Sequence, residues 1–287
     1  MCARRCSRRS RSTPWWASSC SRGKNGRLST TAENARKLAE DPFAYTPLWP
    51  AFEREEHDGY VLFHGPGRHH WFALALRLRL GTNVEPSVQT VRAWFRERGR
   101  REFTWTVSDS STPTDLRERL LALGAQPDPA EPLMAGMVLT REPPAREGIE
   151  VRPVATFDEY AAVRELGWDL LGMSEGDRRE ARGRLQASWA EYADVDIVNF
   201  AAFVDGRVVA AGGIQFTPYG AYLAGGSTHP DYRGRGCYRA LVHARWEAAV
   251  ARGTPLLAVQ AGKMSKPILE RLGFRQIATV NVLIDQT

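Results

Sequence analysis

Alternating and helical patterns of apolar residues divide the second half of the chain into strands and helices. The runs Ile197 to Val204 and Val208 to Phe216 flank Asp205-Gly206, a turn dipeptide that is typical of a β-hairpin. A third strand is predicted from Gly220 to Thr228. The segment from Cys237 to Arg252 has apolar residues at helical spacing and is followed by a glycine, which predicts an amphipathic helix. Further strands are predicted at Gly148 to Val154, Leu256 to Gln260 and Phe274 to Ile284, and further helices after Thr156, around Trp189 and from Pro267.

The first half repeats this order of elements. Trp71 to Leu80 alternates, which predicts a strand with its leucines on one face and two arginines on the other. A helix around Val91, a strand, a helix from Pro113 and a strand from Leu133 to Thr140 follow. Strand, helix, strand, helix, strand therefore occurs twice, which predicts an internal repeat of one α/β unit. The segment from Pro143 to Gly148 is the predicted linker.

The composition is that of an ordinary globular protein. The chain has 287 residues, of which 43% are apolar and 25% charged, and this length favours two domains. No apolar run approaches the length of a membrane helix, so a membrane-spanning protein is excluded and a cytoplasmic location is predicted. Three of the four cysteines lie within the first twenty residues without CxxC spacing, and the histidines show no metal-binding spacing. We therefore expect neither a disulfide scaffold nor a metal site.

The positive charge is concentrated at the beginning of the chain. Residues 1–27 carry eight basic residues and no acidic ones, whereas the remainder carries a net charge of −2. We interpret residues 1–27 as a disordered basic tail; a targeting segment or a nucleic-acid-binding arm is the alternative. The remainder of the chain offers no reason to expect nucleic acid as a partner.

One segment has the chemistry of a ligand site, namely Arg233-Gly234-Arg235-Gly236-Cys237-Tyr238 between a predicted strand and a predicted helix. Glycines allow backbone N–H groups to turn toward a ligand, and the start of a helix adds a partial positive charge. Two arginines strengthen the attraction for phosphate. The sequence therefore predicts a phosphate-binding loop, although a purely structural turn can have the same letters.

The order of elements around this loop resembles the GNAT superfamily of N-acetyltransferases. The resemblance covers about residues 149–287 and rests on Pro230 to Gly236 after a strand, on the helix and buried strand that follow, and on Pro267 to Phe274. It implies an α/β fold of tandem GNAT-like domains, each a mixed and mostly antiparallel sheet flanked by helices. Residues 28–148 are then a degenerate copy without the cofactor loop, and residues 149–287 are the acetyl-CoA-binding domain.

The resemblance also implies a binding site and a reaction. Backbone amides of the loop bind the pyrophosphate of acetyl-CoA, and the end of the preceding strand pairs with pantetheine and supplies an amide to the thioester oxygen. The acetyl group then passes directly to an amine on a small molecule or a peptide. The residues assigned to the cofactor are Gly226, Ser227, Thr228, Arg233, Gly234, Arg235, Gly236, Cys237 and Tyr238.

The sequence offers few candidates for the catalytic base and the catalytic acid. His229 lies beside the loop and is a candidate base. Asp169 and Glu165 lie where family members line the substrate site; for these two residues, a solvated helix face is the alternative. Many family members have a tyrosine as acid where this chain has Leu269, so another group, water or nothing serves as the acid. Tyr238 stands where a small residue is usual. These two departures motivate a second hypothesis, a non-catalytic acyl-CoA-binding or interaction protein. The sequence identifies neither the acceptor nor the oligomeric state.

Overall fold

The computed structural model describes residues 31–49, 51–145, 148–170, 172–192 and 195–287, and the predicted basic tail lies outside these ranges. The strands are β1 Glu53–His57, β2 Tyr60–His64, β3 Ala73–Leu76, β4 Glu102–Ser108, β5 Gln126–Pro127, β6 Leu133–Leu139, β7 Glu150–Pro153, β8 Ile197–Val204, β9 Arg207–Thr217, β10 Gly220–Thr228, β11 Leu257–Ala261 and β12 Arg275–Gln286. The helices are α1 Thr31–Glu40, α2 Glu85–Glu97, α3 Leu116–Ala122, α4 Phe157–Leu170, α5 Glu175–Gly183, α6 Leu185–Tyr192, α7 Cys237–Ala251 and α8 Lys266–Arg271. Short 3₁₀ turns occur at Pro42–Ala44, His70–Phe72 and Pro230–Tyr232.

The named strands form one sheet in the order β1-β2-β3-β4-β12-β6-β11-β10-β9-β8-β7, with β5 paired to β12. Most neighbouring strands are antiparallel, and the parallel pairs between named strands are β3 with β4 and β10 with β11. This arrangement confirms the predicted mixed α/β fold with a mostly antiparallel sheet. The predicted hairpin of β8 and β9 is confirmed as well, since both turn residues, Asp205 and Gly206, have positive φ values of 50° and 74°.

The two halves of the chain exchange their last strands. β6, which precedes the predicted linker, pairs with β11 from Leu139 opposite Leu257 to Ala135 opposite Ala261. β12 lies on the other side of β6 and pairs with β4 of the first half, up to Gln286 opposite Glu102. The sheets of the two predicted units are therefore interlocked, and each unit is completed by a strand of the other.

The exchanged strands also carry side chains into the core of the opposite half. Met137 and Leu139 of β6 are buried among residues of α7 and β11, whereas Leu283 of β12 is buried in the core that α2 and α3 cover. Asp285, two residues further along β12, is 2% exposed and forms a bidentate ion pair with Arg92 of α2 at 2.8 and 3.1 Å. The Trp105 indole donates to the same carboxylate at 2.9 Å. The interlocked halves thus share both apolar and polar interior contacts.

The strand predicted from Trp71 to Leu80 differs from the structure. A 3₁₀ turn occupies residues 70–72, and β3 ends at Leu76 because Arg77 has a positive φ of 51°. This left-handed residue reverses the alternation of side chains. As a result Leu74 and Leu76 pack in one cluster, and Leu78 and Leu80 pack in another. The prediction that these leucines share one face is wrong.

Helix α1 crosses the middle of the sheet. It packs closely on β6 at Gly136, where an added Cβ would lie 2.6 Å from the carbonyl oxygen of Ala39. The Gln260 amide of β11 donates to the Glu40 carbonyl at 2.8 Å. This close packing brings the end of α1 to the ends of β3 and β4.

Two acidic side chains at the end of α1 fill the gap where β3 and β4 separate. The Glu40 carboxylate accepts from the hydroxyls of Ser108 at 3.2 Å and Ser110 at 2.9 Å. Asp41 Oδ1 accepts from the backbone N–H of Arg77 at 2.8 Å. Both acidic residues are at most 3% exposed. The space between these two parallel strands is therefore occupied by the protein's own side chains.

A cavity of about 460 Å³ opens beside these carboxylates. Its lining contains basic and acidic residues in equal number, and they pair with one another, for example Arg36 with Glu40 and Lys37 with Glu33. Because the charges are matched internally, the cavity presents no excess of either sign to a ligand. We assign no site to it.

Burial raises the pKa of Asp41 to about 7, with the Arg77 backbone N–H opposing the effect. A carboxyl whose pKa is higher in the folded than in the unfolded chain contributes stability at low pH, and this stability is lost as the pH rises through about 7. Asp41→Asn keeps an acceptor for Arg77 but cannot ionise. When the pH is raised from about 5 to about 8, we expect the free energy of unfolding of Asp41→Asn to increase by about 2–3 kcal/mol relative to that of the wild type. Urea titrations at several pH values measure this difference. The exposed Asp58→Asn is the control, and parallel curves for wild type and Asp41→Asn would contradict the prediction.

Candidate functional site

A wedge-shaped cleft opens between the parallel strands β10 and β11. The two strands pair at Ala221 with Leu257 and at Tyr222 with Ala258, and their register ends there. β10 continues to Thr228 along β9, whereas β11 continues along β6. One edge of β10 therefore faces the cleft with backbone groups that β11 does not pair, and such an edge can pair with an extended amide-containing ligand.

A β-bulge lies in β10 at the cleft. Ala224 is opposite Gly213 and Ser227 is opposite Ala211, so that Gly225 and Gly226 together face the single residue Gly212. Gly225 has a φ of 61°, a conformation that favours glycine. A bulge of this kind releases backbone groups from the ladder and redirects them. The predicted residues Gly226 to Thr228 thus lie on the free edge of β10.

The predicted phosphate loop connects β10 to α7. Gly234 and Gly236 both adopt left-handed conformations, with φ values of 75° and 92°. Gly236 is the N-cap of α7 and has no side chain, so the first amides of the 15-residue helix receive no side-chain cap from it. Arg233, Arg235 and Arg239 around this turn are exposed. Turned amides, the positive end of a helix and exposed arginines together favour an anionic ligand.

Contacts within the loop show which predicted residues support its shape. Arg233 Nε donates to the Thr228 carbonyl at 3.3 Å, and the Arg235 guanidinium lies 5.0 Å from the centre of the Tyr232 ring. Cys237 is 2% exposed, and its Sγ lies 3.9 Å from the Tyr232 carbonyl oxygen. Cys237 thus fills space at the start of α7, in a position that a soluble reagent would not reach readily.

His229 occupies the end of β10 and is partly exposed. Its Nδ1 accepts from the Asp231 backbone N–H at 3.3 Å and lies 3.8 Å from an Asp231 carboxylate oxygen. These contacts cap the 3₁₀ turn at residues 230–232. The imidazole therefore stabilises the turn beside the loop, and its role as a catalytic base stays a prediction.

Asp169 and Glu165 lie near the end of α4 and form ion pairs with helix α5. Asp169 pairs with Arg178, and Glu165 accepts from Arg182 at 2.6 and 3.1 Å. Both carboxylates are at the surface and satisfied by these arginines. Their contribution to an acceptor site stays a prediction.

Leu269, which stands where the resemblance places a tyrosine as the acid, is completely buried in the core beneath α7. It therefore offers the cleft no hydroxyl. Tyr238, in contrast, packs on the bulge, because a Cβ added to Gly226 would lie 2.9 Å from its Cε2 atom. A tyrosine ring on the α7 side of the cleft thus contacts the strand that the predicted ligand follows.

A charged residue of this region was absent from the sequence-based predictions. Arg245 of α7 is 0% exposed, although its helix is otherwise buried through apolar residues such as Leu241 and Trp246. Helical spacing could have placed Arg245 on the buried face of α7, since residue 245 lies four positions after Leu241 and seven after Tyr238. An arginine on the inner face of a helix indicates a specific polar environment.

Neither a metal site nor a membrane span emerges from the residues that the structure describes. Within those ranges, no three His, Cys, Asp or Glu side chains lie together as metal ligands would. No helix there is both long and apolar enough to cross a membrane.

The comparison with protein families agrees with this geometry. Residues 160–274, which include the cleft, the loop and α7, match the model of the Acetyltransferase (GNAT) family. Residues 160–274 are a GNAT domain. This match supports an acyltransferase, and the resemblance inferred from the loop is confirmed. A comparison with curated protein sequences gives no match.

Solved structures extend the likeness of the GNAT fold to most of the chain. A GCN5-related N-acetyltransferase from Kribbella flavida has a TM-score of 0.61 and 17% identity, covering 90% of this chain and 96% of that one. A tandem GNAT protein from the clavulanic acid biosynthesis pathway has a TM-score of 0.57 and 16% identity, covering 89% and 94%. A GCN5-related N-acetyltransferase from Sphaerobacter thermophilus has a TM-score of 0.53 and 15% identity, covering 81% and 82%. At these identities the likeness concerns the fold, and it confirms the tandem GNAT-like architecture.

Proposed function

We propose that the protein is an N-acetyltransferase that takes the acetyl group from acetyl-CoA and passes it directly to an amine. The observation that carries this proposal is the combination of a free, bulged edge of β10 with a left-handed glycine loop at the start of α7. A pantetheine arm has amides that can pair with such an edge, and a pyrophosphate carries the negative charge that the loop attracts.

Under this proposal each part of the site has a distinct task. Backbone amides at Gly234 to Gly236 hold the pyrophosphate, with Arg233 and Arg235 adding positive charge. Gly226 to Thr228 align the pantetheine and direct an amide at the thioester oxygen, where negative charge develops. Acetyl-CoA supplies an activated acyl group that an uncharged amine can attack.

The first half supports this function without a second cofactor site. Its corresponding gap between β3 and β4 is occupied by the side chains of Glu40 and Asp41 and is therefore not open to a ligand. Its turn between β3 and α2 has one glycine and places Glu85 in the first turn of the helix. We propose residues 28–148 as the cofactor-free unit and residues 149–287 as the acetyl-CoA-binding unit.

Gly236→Val is expected to weaken acetyl-CoA binding by about tenfold or more, or about 1.4 kcal/mol. A β-branched side chain is disfavoured at a φ of 92° and would stand between the ligand and the loop amides. Isothermal titration calorimetry measures the affinity. Gly253→Val is the matched control, since Gly253 follows the other end of α7 with a φ of 74° and open space around it. Equal affinities for the wild type and Gly236→Val would contradict the proposed site.

The second candidate function is non-catalytic acyl-CoA binding, and Tyr238 against Gly226 is the observation that favours it, because the ring occupies one side of the cleft. Release of free CoA in the presence of a broad panel of amines separates the two functions. Acceptor-dependent release supports acetyl transfer. Tight binding without turnover on any acceptor supports the binding protein.

A further inference from the structure

A carboxylate of the first half lies on the end of β11, at the mouth of the cleft. Glu131 precedes β6, and its Oε2 accepts from the backbone N–H of Lys263 at 3.1 Å. The side chain rests on Gly262, the residue that follows β11. A Cβ added to Gly262 would lie 2.6 Å from both Cδ and Oε1 of Glu131. The absence of a side chain at Gly262 therefore leaves the space in which this carboxylate lies.

The turn that carries Glu131 is fixed by a buried aspartate of the first half. Asp128 is 2% exposed, and its Oδ1 accepts from the backbone N–H groups of Ala130 at 2.8 Å and Glu131 at 3.4 Å. The backbone N–H of Asp128 donates to the Val282 carbonyl of β12 at 3.0 Å. An aspartate that binds the backbone two residues further on stabilises a turn. The position of Glu131 thus depends on the first half and on β12.

The register of the two parallel strands places Glu131 across the cleft from the β-bulge. β10 and β11 separate after Tyr222 and Ala258. Four residues further along each strand, Gly226 lies in the bulge of β10 and Gly262 lies beneath Glu131. Because strands advance by a similar rise per residue, these two glycines lie at a similar height on opposite sides of the cleft.

Glu131 lies on the face of the sheet that α7 does not cover. A Cβ added to Gly226 would meet Tyr238 of α7, so this part of β10 faces α7. Ala261 is buried in the core beneath α7, and the alternation of side chains then places the next residue, Gly262, on the opposite face. A ligand held by the loop at the start of α7 approaches the bulge from the α7 face. The Glu131 face is left for the second substrate.

The charge of Glu131 is not balanced by a neighbouring side chain. Within the described ranges its carboxylate contacts the Lys263 backbone, and no basic side chain forms an ion pair with it. Asp169 and Glu165, in contrast, are each paired with an arginine of α5. An unbalanced carboxylate attracts a cation. An alkylamine is such a cation near neutral pH, because its ammonium form predominates.

We propose that Glu131 binds the ammonium group of an alkylamine acceptor, so that the first half of the chain completes the acceptor site of the GNAT domain. This inference rests on the proposed function, since the acceptor is the amine that receives the acetyl group. Glu131 acts in recognition: it holds the ammonium group beside the thioester, and the amine loses one proton to water before its nitrogen attacks. An amine with a carboxylate next to it is a poorer acceptor, because Glu131 repels that carboxylate.

The experiment measures the binding of two thioethers to the complete chain by isothermal titration calorimetry. S-(2-aminoethyl)-CoA and S-propyl-CoA have similar size, and only the first carries an ammonium group beyond the sulfur. We expect the wild type to bind S-(2-aminoethyl)-CoA about tenfold more tightly, as a hydrogen bond between charged groups does.

The variants separate the charge of Glu131 from its contact with the backbone. Glu131→Gln keeps an acceptor for the Lys263 N–H but has no charge, so we expect it to lose the preference and to retain the affinity for S-propyl-CoA. Gly262→Ala is expected to reduce the preference as well, because the added methyl group displaces the Glu131 carboxylate. Glu270→Gln removes an exposed carboxylate of α8 and is the matched control, with the preference unchanged.

Two results would overturn the inference. One is equal affinity of the wild type for the two thioethers, and the other is a preference that persists in Glu131→Gln. In both cases acetyl-CoA binding and the proposed function stand. If the wild type binds neither thioether and does not bind acetyl-CoA, the proposed cofactor site fails, and the role of Glu131 fails with it.

Discussion

Residues 149–287 expressed alone are expected to aggregate or to remain incompletely folded, although they contain every residue assigned to the cofactor. The fragment lacks β6, which lies between β11 and β12 and pairs with both. Its loss would expose two strand edges and remove the buried side chains of Met137 and Leu139 from the core beneath α7. Each such side chain stabilises the fold by about 1.5–3 kcal/mol. Size-exclusion chromatography and acetyl-CoA binding measure the outcome.

The matched control contains both halves of the protein as two separate chains. Residues 28–148 and 149–287 produced together as two chains should form a one-to-one complex that binds acetyl-CoA, because all strands of the interlocked sheet are then present. A monomeric, stable 149–287 fragment with full affinity would show that the exchange of β6 and β12 is dispensable.

Asp285→Ala is expected to destabilise the whole protein by about 3–5 kcal/mol, because it removes one partner of a buried ion pair. Arg92, whose side chain is 16% exposed, and the buried Trp105 N–H would both lose their acceptor. Chemical denaturation measures the free energy of unfolding. Asp115→Ala is the control, since Asp115 forms an exposed pair with Arg119 of about 0–1 kcal/mol. Equal effects of the two substitutions would contradict the importance of the Asp285 contact.

Local sequence patterns predicted the part of the site that is local. The turn at Asp205-Gly206, the loop at Arg233 to Gly236 and helix α7 depend on neighbouring residues, and their positions agree with the structure. β1 was missed because its sequence, EREEH, has no apolar alternation and lies at an edge of the sheet. Helix α1 was missed because its buried face is made mainly of small residues, Ala35 and Ala39 beside Leu38.

The exchange of strands could not be predicted from pattern. β6 and β12 are both apolar segments that follow a short helix, and either could in principle complete either half. Which strand pairs with β4 is decided by distant contacts, such as that of Asp285 with Arg92. Arg245 was overlooked for a related reason, because its partners, Gly213 and Tyr238, come together only in the folded sheet and helix.

The position of β12 has a consequence for how the protein is made. During synthesis β1 to β4 leave the ribosome long before residues 275–286, yet β4 acquires its second neighbour only from that last strand. The edge of β4 therefore stays unpaired until residues 275–286 have emerged. Such a delay prolongs the time in which unpaired strands can associate with other chains. We expect nascent chains stalled before Arg275 to recruit chaperones, and chains that include residues 275–286 to release them.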